Sequence, residues 1–185
     1  RLELDGDVYR FRGNVSPSND DGDFLFINPF IYNPVNQDQL FVGARGKIFG
    51  TNDIRENPSS NDWIELFGPE SLNNEFVSAL AMSKESEGVL YFGTRSGRIY
   101  TIEDTRNLYE STEIKELSRE GLPSGNISGI TVDPKDASKV LITFSNYNIN
   151  SIWYSSDAGE SWTAVSGNLE ENPDGSGAGP SIRAV

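Results

Sequence analysis

Apolar residues in this chain come in short runs broken by glycine, proline, asparagine and serine, and no run carries the stripe of a long amphipathic helix. Three runs can be laid over one another: Gly46-Lys-Ile-Phe-Gly-Thr-Asn-Asp53, Gly97-Arg-Ile-Tyr-Thr-Ile-Glu-Asp104 and Asn150-Ser-Ile-Trp-Tyr-Ser-Ser-Asp157. Their aspartates stand 51 and 53 residues apart. Upstream of each lies a second run, Leu40-Phe-Val-Gly43, Val89-Leu-Tyr-Phe-Gly93 and Val140-Leu-Ile-Thr143. Before those come Phe30-Ile-Tyr-Asn-Pro34, Val77-Ser-Ala-Leu-Ala-Met82 and Ile127-Ser-Gly-Ile-Thr-Val-Asp-Pro134. Downstream come Trp63-Ile-Glu-Leu66, Glu113-Ile-Lys-Glu-Leu117 and Trp162-Thr-Ala-Val165. Each unit therefore predicts four short strands, rich in β-branched and aromatic residues and bounded by turn residues. Asn33-Pro34 and Asp133-Pro134 mark strand-to-turn boundaries. Gly46 and Gly97 fall in the turn between second and third strands, where tight hairpins need positive φ.

Four antiparallel strands repeating about every fifty residues is the arithmetic of a β-propeller blade. The expected fold is all-β: one propeller segment over 1–185, with about three full blades and a partial blade at each end. A partial blade is expected at 1–27, and blades at 28–68, 75–118 and 125–166. A linker loop and the first strand of a further blade are expected at 167–185. At the start, Asp5-Gly-Asp-Val-Tyr-Arg-Phe11 has the form of a third strand and Arg1-Leu-Glu-Leu4 that of a second. At the end, Ser181-Ile-Arg-Ala-Val185 has the form of a first strand. Two arrangements follow. The partial sets pair and close a small ring, or the propeller continues in a larger parent protein or in another chain of an assembly. An isolated arc would leave strand edges unpaired.

Composition narrows the function. Net charge is −13, with 28 acidic against 15 basic residues. Such a surface repels phosphate backbones and anionic membrane surfaces, so neither nucleic acid nor a bilayer is an expected partner. No stretch of apolar residues is long enough to insert in a membrane. With no cysteine, disulfides and thiolate chemistry are excluded, which points to a bacterial secreted protein or to the cytoplasm. With no histidine, the commonest general base and metal ligand are missing. The chain opens at Arg1 without methionine, as a processed or excised segment would, so a missing export signal says nothing about location.

Ser155-Ser-Asp157-Ala-Gly159-Glu-Ser-Trp162 matches the pattern Ser-x-Asp-x-Gly-x-x-Trp at every fixed position. This resembles the Asp box, or bacterial neuraminidase repeat, and most closely the sortilin-like and xyloglucanase-like bacterial repeats. The likeness runs from about residue 24 to 185. Thr51-Asn-Asp53 lacks the following glycine, and Ile102-Glu-Asp104 lacks both serine and glycine. Ser18-Asn-Asp20-Asp-Gly22 is a looser fragment, with Leu25 where tryptophan belongs. The resemblance implies a structural hairpin, in which Asp157 accepts backbone N–H groups, Gly159 supplies positive φ and Trp162 buries its ring. It also implies that such boxes lie away from a catalytic mouth.

Candidate chemistry is diffuse. A glycosidase needs two carboxylates about 5–10 Å apart; Asp133 is a candidate, although Asp-Pro also serves as a turn initiator. A sialidase-like site needs converging arginines and a tyrosine, and Arg45, Arg95, Arg98 and Arg183 are available. No cofactor is expected except possible calcium, for which Asp20, Asp21 and Asp23 of Asn19-Asp-Asp-Gly-Asp23 offer hard oxygens; Asp5-Gly-Asp7 is a shorter version. Asn14-Val-Ser16 and Asn126-Ile-Ser128 fit the glycosylation triplet. The glycine-rich loop 170–180 lacks the lysine of a phosphate loop and reads as a connection or a rim loop. Tyr147 could stack on a sugar or a peptide. The expected function is a non-catalytic binding or scaffold segment of a larger extracellular or cell-surface bacterial protein, with a protein or glycan ligand. The alternatives are part of a xyloglucanase-like or sialidase-like glycoside hydrolase acting on polysaccharide, and a cytoplasmic or organellar assembly factor.

Overall fold

The computed structural model describes residues 2–5, 8–11, 16–17, 21–54, 63–84 and 88–169. Asn14, Asp20, Arg183, the 170–180 loop and the expected strand 181–185 lie outside them, as do Gly6 and Asp7. Strands β1 (Leu2–Asp5) and β2 (Val8–Phe11) form an antiparallel hairpin. The rest of the architecture is three four-stranded antiparallel sheets, each running through its strands in chain order. The first holds β3 (Phe30–Tyr32), β4 (Leu40–Gly43), β5 (Lys47–Thr51) and β6 (Ile64–Phe67). The second holds β7 (Val77–Met82), β8 (Leu90–Thr94), β9 (Ile99–Ile102) and β10 (Lys115–Glu116). The third holds β11 (Ile127–Asp133), β12 (Asp136–Phe144), β13 (Ile152–Ser155) and β14 (Thr163–Ala164). These are β-propeller blades. The first strands β3, β7 and β11 contact one another in sequence and so lie nearest the common axis.

Register makes the repeat literal. Thr51, Ile102 and Ser155 sit opposite Leu40, Leu90 and Val140 in their sheets. Gly43, Gly93 and Thr143 sit opposite Ile48, Ile99 and Ile152. Because side chains alternate along a strand, each sheet presents one face to its predecessor and one to its successor. Phe41, Ile48 and Leu66 leave the first sheet to meet Phe92, Tyr100 and Ile102 of the second. Tyr91, Ile99 and Leu117 leave the second to meet Ile142, Trp153 and Trp162 of the third. The Phe92 and Tyr100 rings stack at 5.2 Å. Burying each such ring stabilises by roughly 1.5–3 kcal/mol, and only a neighbouring sheet can bury it.

Two glycines set the distance between sheets. A Cβ on Gly43 would stand 2.6 Å from Val77 Cγ1, and one on Gly93 would stand 2.6 Å from Ile127 Cγ2. The missing side chains let the next first strand close in. A polar contact repeats beside them: Asn28 Nδ2 donates to Gly43 O at 2.7 Å, Ser78 Oγ to Gly93 O at 3.3 Å, and Ser128 Oγ to Thr143 O at 3.4 Å. Ser78 Oγ also reaches Ile127 O of the third sheet at 2.7 Å.

Three local features differ from the sequence expectation. The second strand of the third unit begins at Asp136 instead of Val140, because Asp136 Oδ1 accepts from Ser138 N and Oγ and keeps those polar residues extended. The fourth strand of the second unit shrinks to Lys115–Glu116, with Ile114 and Leu117 buried on either side. Short 3-10 turns at Asp21–Asp23 and Glu70–Leu72 lead into the first and second sheets.

Candidate functional site

At one end of the sheets lie the hairpin turns from second to third strand and the connectors that enter each first strand. A cleft of about 600 Å³ opens there, lined by Leu25, Phe26, Ile27, Ser78, Arg95, Asn126, Ser128 and Ser145. Three repeat units contribute to it. Phe26, Phe76 and Asn126 hold the same place in successive connectors, and Arg45, Arg95 and Ser145 hold the same place in successive hairpin turns. Backbone bonds fasten turn to connector, with Arg95 N donating to Phe76 O at 3.1 Å and Ser145 N to Asn126 O at 3.1 Å.

The side chains at these matched positions are used differently. Arg45 lays its guanidinium 4.3 Å from the centre of the Phe76 ring, across the first sheet boundary. At the position that Phe76 takes beside Arg45, Arg95 is matched by Asn126 instead of a ring, and both line the cleft. Asn126 Nδ2 donates to Ser145 Oγ at 2.9 Å, and Asn126 N donates to Asn146 Oδ1 at 2.6 Å. Phe26 and Ile27 are exposed and form an apolar wall. Among the described residues no carboxylate lines the cleft. The asparagine of the expected glycosylation triplet thus has its amide turned into the cleft's own hydrogen bonding.

The opposite end carries the Ser155–Trp162 turn. Ala158 and Gly159 both take positive φ, 58° and 87°. Ser155 Oγ accepts from Gly159 N at 2.8 Å and donates to Asp157 Oδ1 at 2.7 Å. Asp157 also accepts from Ser161 N at 3.0 Å and from Ser161 Oγ at 2.5 Å. These donors, the Ser161 hydroxyl first, hold the Asp157 carboxyl down at about 2. With its lone pairs occupied, the group braces the turn. Trp162 packs beneath and donates from Nε1 to Ser118 O of the second sheet's exit at 3.1 Å. In the first sheet Asp53 N donates to Thr51 Oγ1 at 3.2 Å, the same hydroxyl arrangement as at Ser155. Asp104 instead pairs with Arg106, which lowers its carboxyl to about 2.

Other candidates are dispersed. Asp133 accepts from Lys135 N at 2.8 Å within the β11–β12 turn. Arg98 pairs with Glu116 on the second sheet, so Arg45, Arg95 and Arg98 do not converge. Tyr147 is exposed. Asp23 lies 3.4 Å from Lys47 Nζ, and among the described residues no group of three or more acidic side chains could hold a metal ion. A second cleft, about 590 Å³, is lined by Glu103, Asp104, Glu113 and Lys115. There Glu103 faces Lys115 at 3.3 Å, and Asp104 is bound by Arg106. Among the described residues no helix is long and apolar enough to cross a membrane.

Phe26, Ile27, Asn126, Ser128 and Ser145 were not singled out by their residue types as cleft residues. The signal that finds them is recurrence at intervals of fifty, at 26, 76 and 126 and at 45, 95 and 145.

No family model and no curated protein matches this sequence. Among solved structures it is similar to a GH74 enzyme of Niastella koreensis, with a TM-score of 0.54 and 17% identity over 79% of this chain and 22% of that one. It is similar also to an ancestral GH74 enzyme, with a TM-score of 0.50 and 14% identity over 82% and 20% of the two chains. A third is the GH74 xyloglucanase of Xanthomonas campestris, with a TM-score of 0.52 and 13% identity over 77% and 22%. The chain spans about a fifth of the length of these structures, and the likeness is one of fold.

Proposed function

We propose that this chain is a non-catalytic, glycan-binding segment of a larger extracellular or cell-surface bacterial propeller protein of the Asp-box kind, and that its ligand sits in the cleft between Phe26 and Arg95. The observation that carries the reading is the lining of that cleft. It combines an exposed aromatic and aliphatic wall with hydroxyl, amide and guanidinium groups, as sugar recognition requires. Glycosidic hydrolysis requires a pair of carboxylates, one of them with a raised pKa, and among the described residues none lines this cleft. The Ser155–Trp162 turn supports the Asp-box assignment and the sortilin-like and xyloglucanase-like kinship, with Asp157 in a bracing role.

The larger parent is supported by the first sheet's face turned away from the second. Phe30, Tyr32 and Phe67 remain 65%, 53% and 63% exposed there, while Met82, the counterpart of Tyr32, is 8% exposed beneath the first sheet. A further blade fits that face.

A glycoside hydrolase segment is the second reading, favoured by the GH74 fold likeness. The carboxylates of the Glu103–Glu113 cleft are its nearest candidates, and the lowered Asp104 is unsuited to be the acid. Calorimetric titration with xyloglucan oligosaccharides, run beside a reducing-sugar assay, separates the two. Binding without sugar release is expected. Release that disappears in Glu113→Gln would replace the first reading with the second. An export signal on the full precursor is expected; its absence would favour a cytoplasmic assembly role.

A further inference from the structure

Resting on the glycan-binding reading, we infer that the cleft selects a sugar chain bearing carboxylates, a uronate-containing glycan, with Arg95 as the group that reads the acid. The argument starts from how the chain disposes of its positive charge. Acidic residues outnumber basic ones 28 to 15. Lys47, Arg98, Arg106, Lys115 and Lys139 each meet a carboxylate. Arg45, the counterpart of Arg95, is seated on the Phe76 ring. Among the described residues Arg95 has neither kind of partner. Where Phe76 seats Arg45, the next unit offers Asn126, whose Nδ2 is turned to Ser145 Oγ. The phenylalanine-to-asparagine difference between the two connectors therefore frees one guanidinium, and it does so inside the cleft.

The surroundings suit an acid held by its edge. A guanidinium presents two parallel N–H donors that match a carboxylate. Among the described residues no lining side chain carries a negative charge to compete for it. Across the cleft, exposed Phe26 offers a ring face on which the apolar side of a pyranose can rest. Ser145 Oγ accepts from Asn126 and keeps its own proton to donate, and Asn126 Oδ1 remains an acceptor for a ligand hydroxyl. The backbone argues against an extended acidic peptide. Peptides that bind by adding a strand need an unpaired sheet edge, whereas the turn amides at Arg95 and Ser145 are bonded to the connector carbonyls of Phe76 and Asn126.

The test is calorimetric titration of the purified chain with a galacturonate trimer and with the same trimer methyl-esterified, which keeps the sugar and removes the charge. The acid form is expected to bind about tenfold or more tightly than the ester, the scale of one charge-assisted hydrogen-bonded pair. Arg95→Gln is expected to erase that preference. Arg106→Gln, which removes an equal charge at the opposite end of the sheets, is expected to keep it. Circular dichroism and the unfolding midpoint check that each variant is folded. Equal affinity for acid and ester, or a preference that survives Arg95→Gln, overturns the inference. If xyloglucan oligosaccharides still bind in that case, the glycan-binding reading stands without it. If no oligosaccharide of any charge binds, both fall. A glutamate oligopeptide that binds more tightly than the galacturonate trimer overturns the inference in favour of an acidic protein ligand.

Discussion

Trp162 and Trp63 hold the same place in two sheets, one residue before the fourth strand, and both are 8% exposed. Their indole nitrogens meet different fates. Trp162 Nε1 donates to Ser118 O, the carbonyl that leaves the preceding sheet. Trp63 Nε1 is buried with no partner among the described residues. The rings differ in company too. Trp162 belongs to a core built from two sheets, while Trp63 joins Ala44 and Phe49 in a half core that Phe24 closes from a connector, with its ring 6.0 Å from Phe49. The comparison teaches that one blade is only half of a packing unit. Its tryptophan is made to be completed by what precedes it, and among the described residues the Trp63 donor lacks the carbonyl that completes Trp162.

The largest test of this contrast is truncation. Trp162→Ala is expected to cost about 3–5 kcal/mol in urea unfolding, the range for removing a large ring from a two-sided core. Trp63→Ala is expected to cost clearly less, because its ring closes one side only. Next comes Gly93→Ala, expected to cost roughly 1–3 kcal/mol by overpacking against Ile127. Gly43→Ala is expected to behave alike against Val77, since both glycines hold a sheet boundary. A smaller and sharper effect separates the indole nitrogens. Trp162→Phe loses its bond and strands the Ser118 carbonyl, for a cost of about 1 kcal/mol beyond that of Trp63→Phe, which removes a donor already unpaired. Repeating Trp63→Phe with a preceding blade fused ahead of the chain should raise its cost to that of Trp162→Phe; an unchanged cost would break the comparison.

The smallest expected effect is at the acid limb. Asp157 is held at about 2, below its ordinary 3.8, first by the Ser161 hydroxyl. A carboxyl with a folded pKa below its unfolded one stabilises the fold above the unfolded value. That contribution fades as pH falls from near 4 toward 2. Asp157→Asn should therefore flatten the pH dependence of the unfolding midpoint over that window and leave its slope near neutrality untouched. Asp104→Asn should do the same in the second sheet, where Arg106 replaces the turn hydroxyls as the cause.

Much of the fold is legible in the sequence because strand alternation repeats. Aligning Asp53, Asp104 and Asp157 brings Thr51, Ile102 and Ser155 together, and register places those three opposite Leu40, Leu90 and Val140. The start of β12 is hidden because Asp136 and Lys139 look like turn residues; their extended backbone depends on Ser138 bonding back to Asp136. The sequence offers Asp23 as a metal ligand but gives no sign of Lys47, which the fold brings to it from β5. The cleft is the least legible part. Arg95 is one exposed arginine among several until Phe76 is seen to seat Arg45 while Asn126 leaves Arg95 unseated. That difference lies in a pair of residues 31 positions apart, and no local window contains both.

Gly43 and Gly93 have a mechanical consequence. With a branched side chain meshed into each gap, one sheet cannot slide along the next without driving Val77 or Ile127 into backbone. The sheets are thereby indexed like meshed gears, and the turns and connectors that carry Arg95 and Asn126 keep their spacing. The proposed ligand would therefore meet a frame between the sheets that is already ordered.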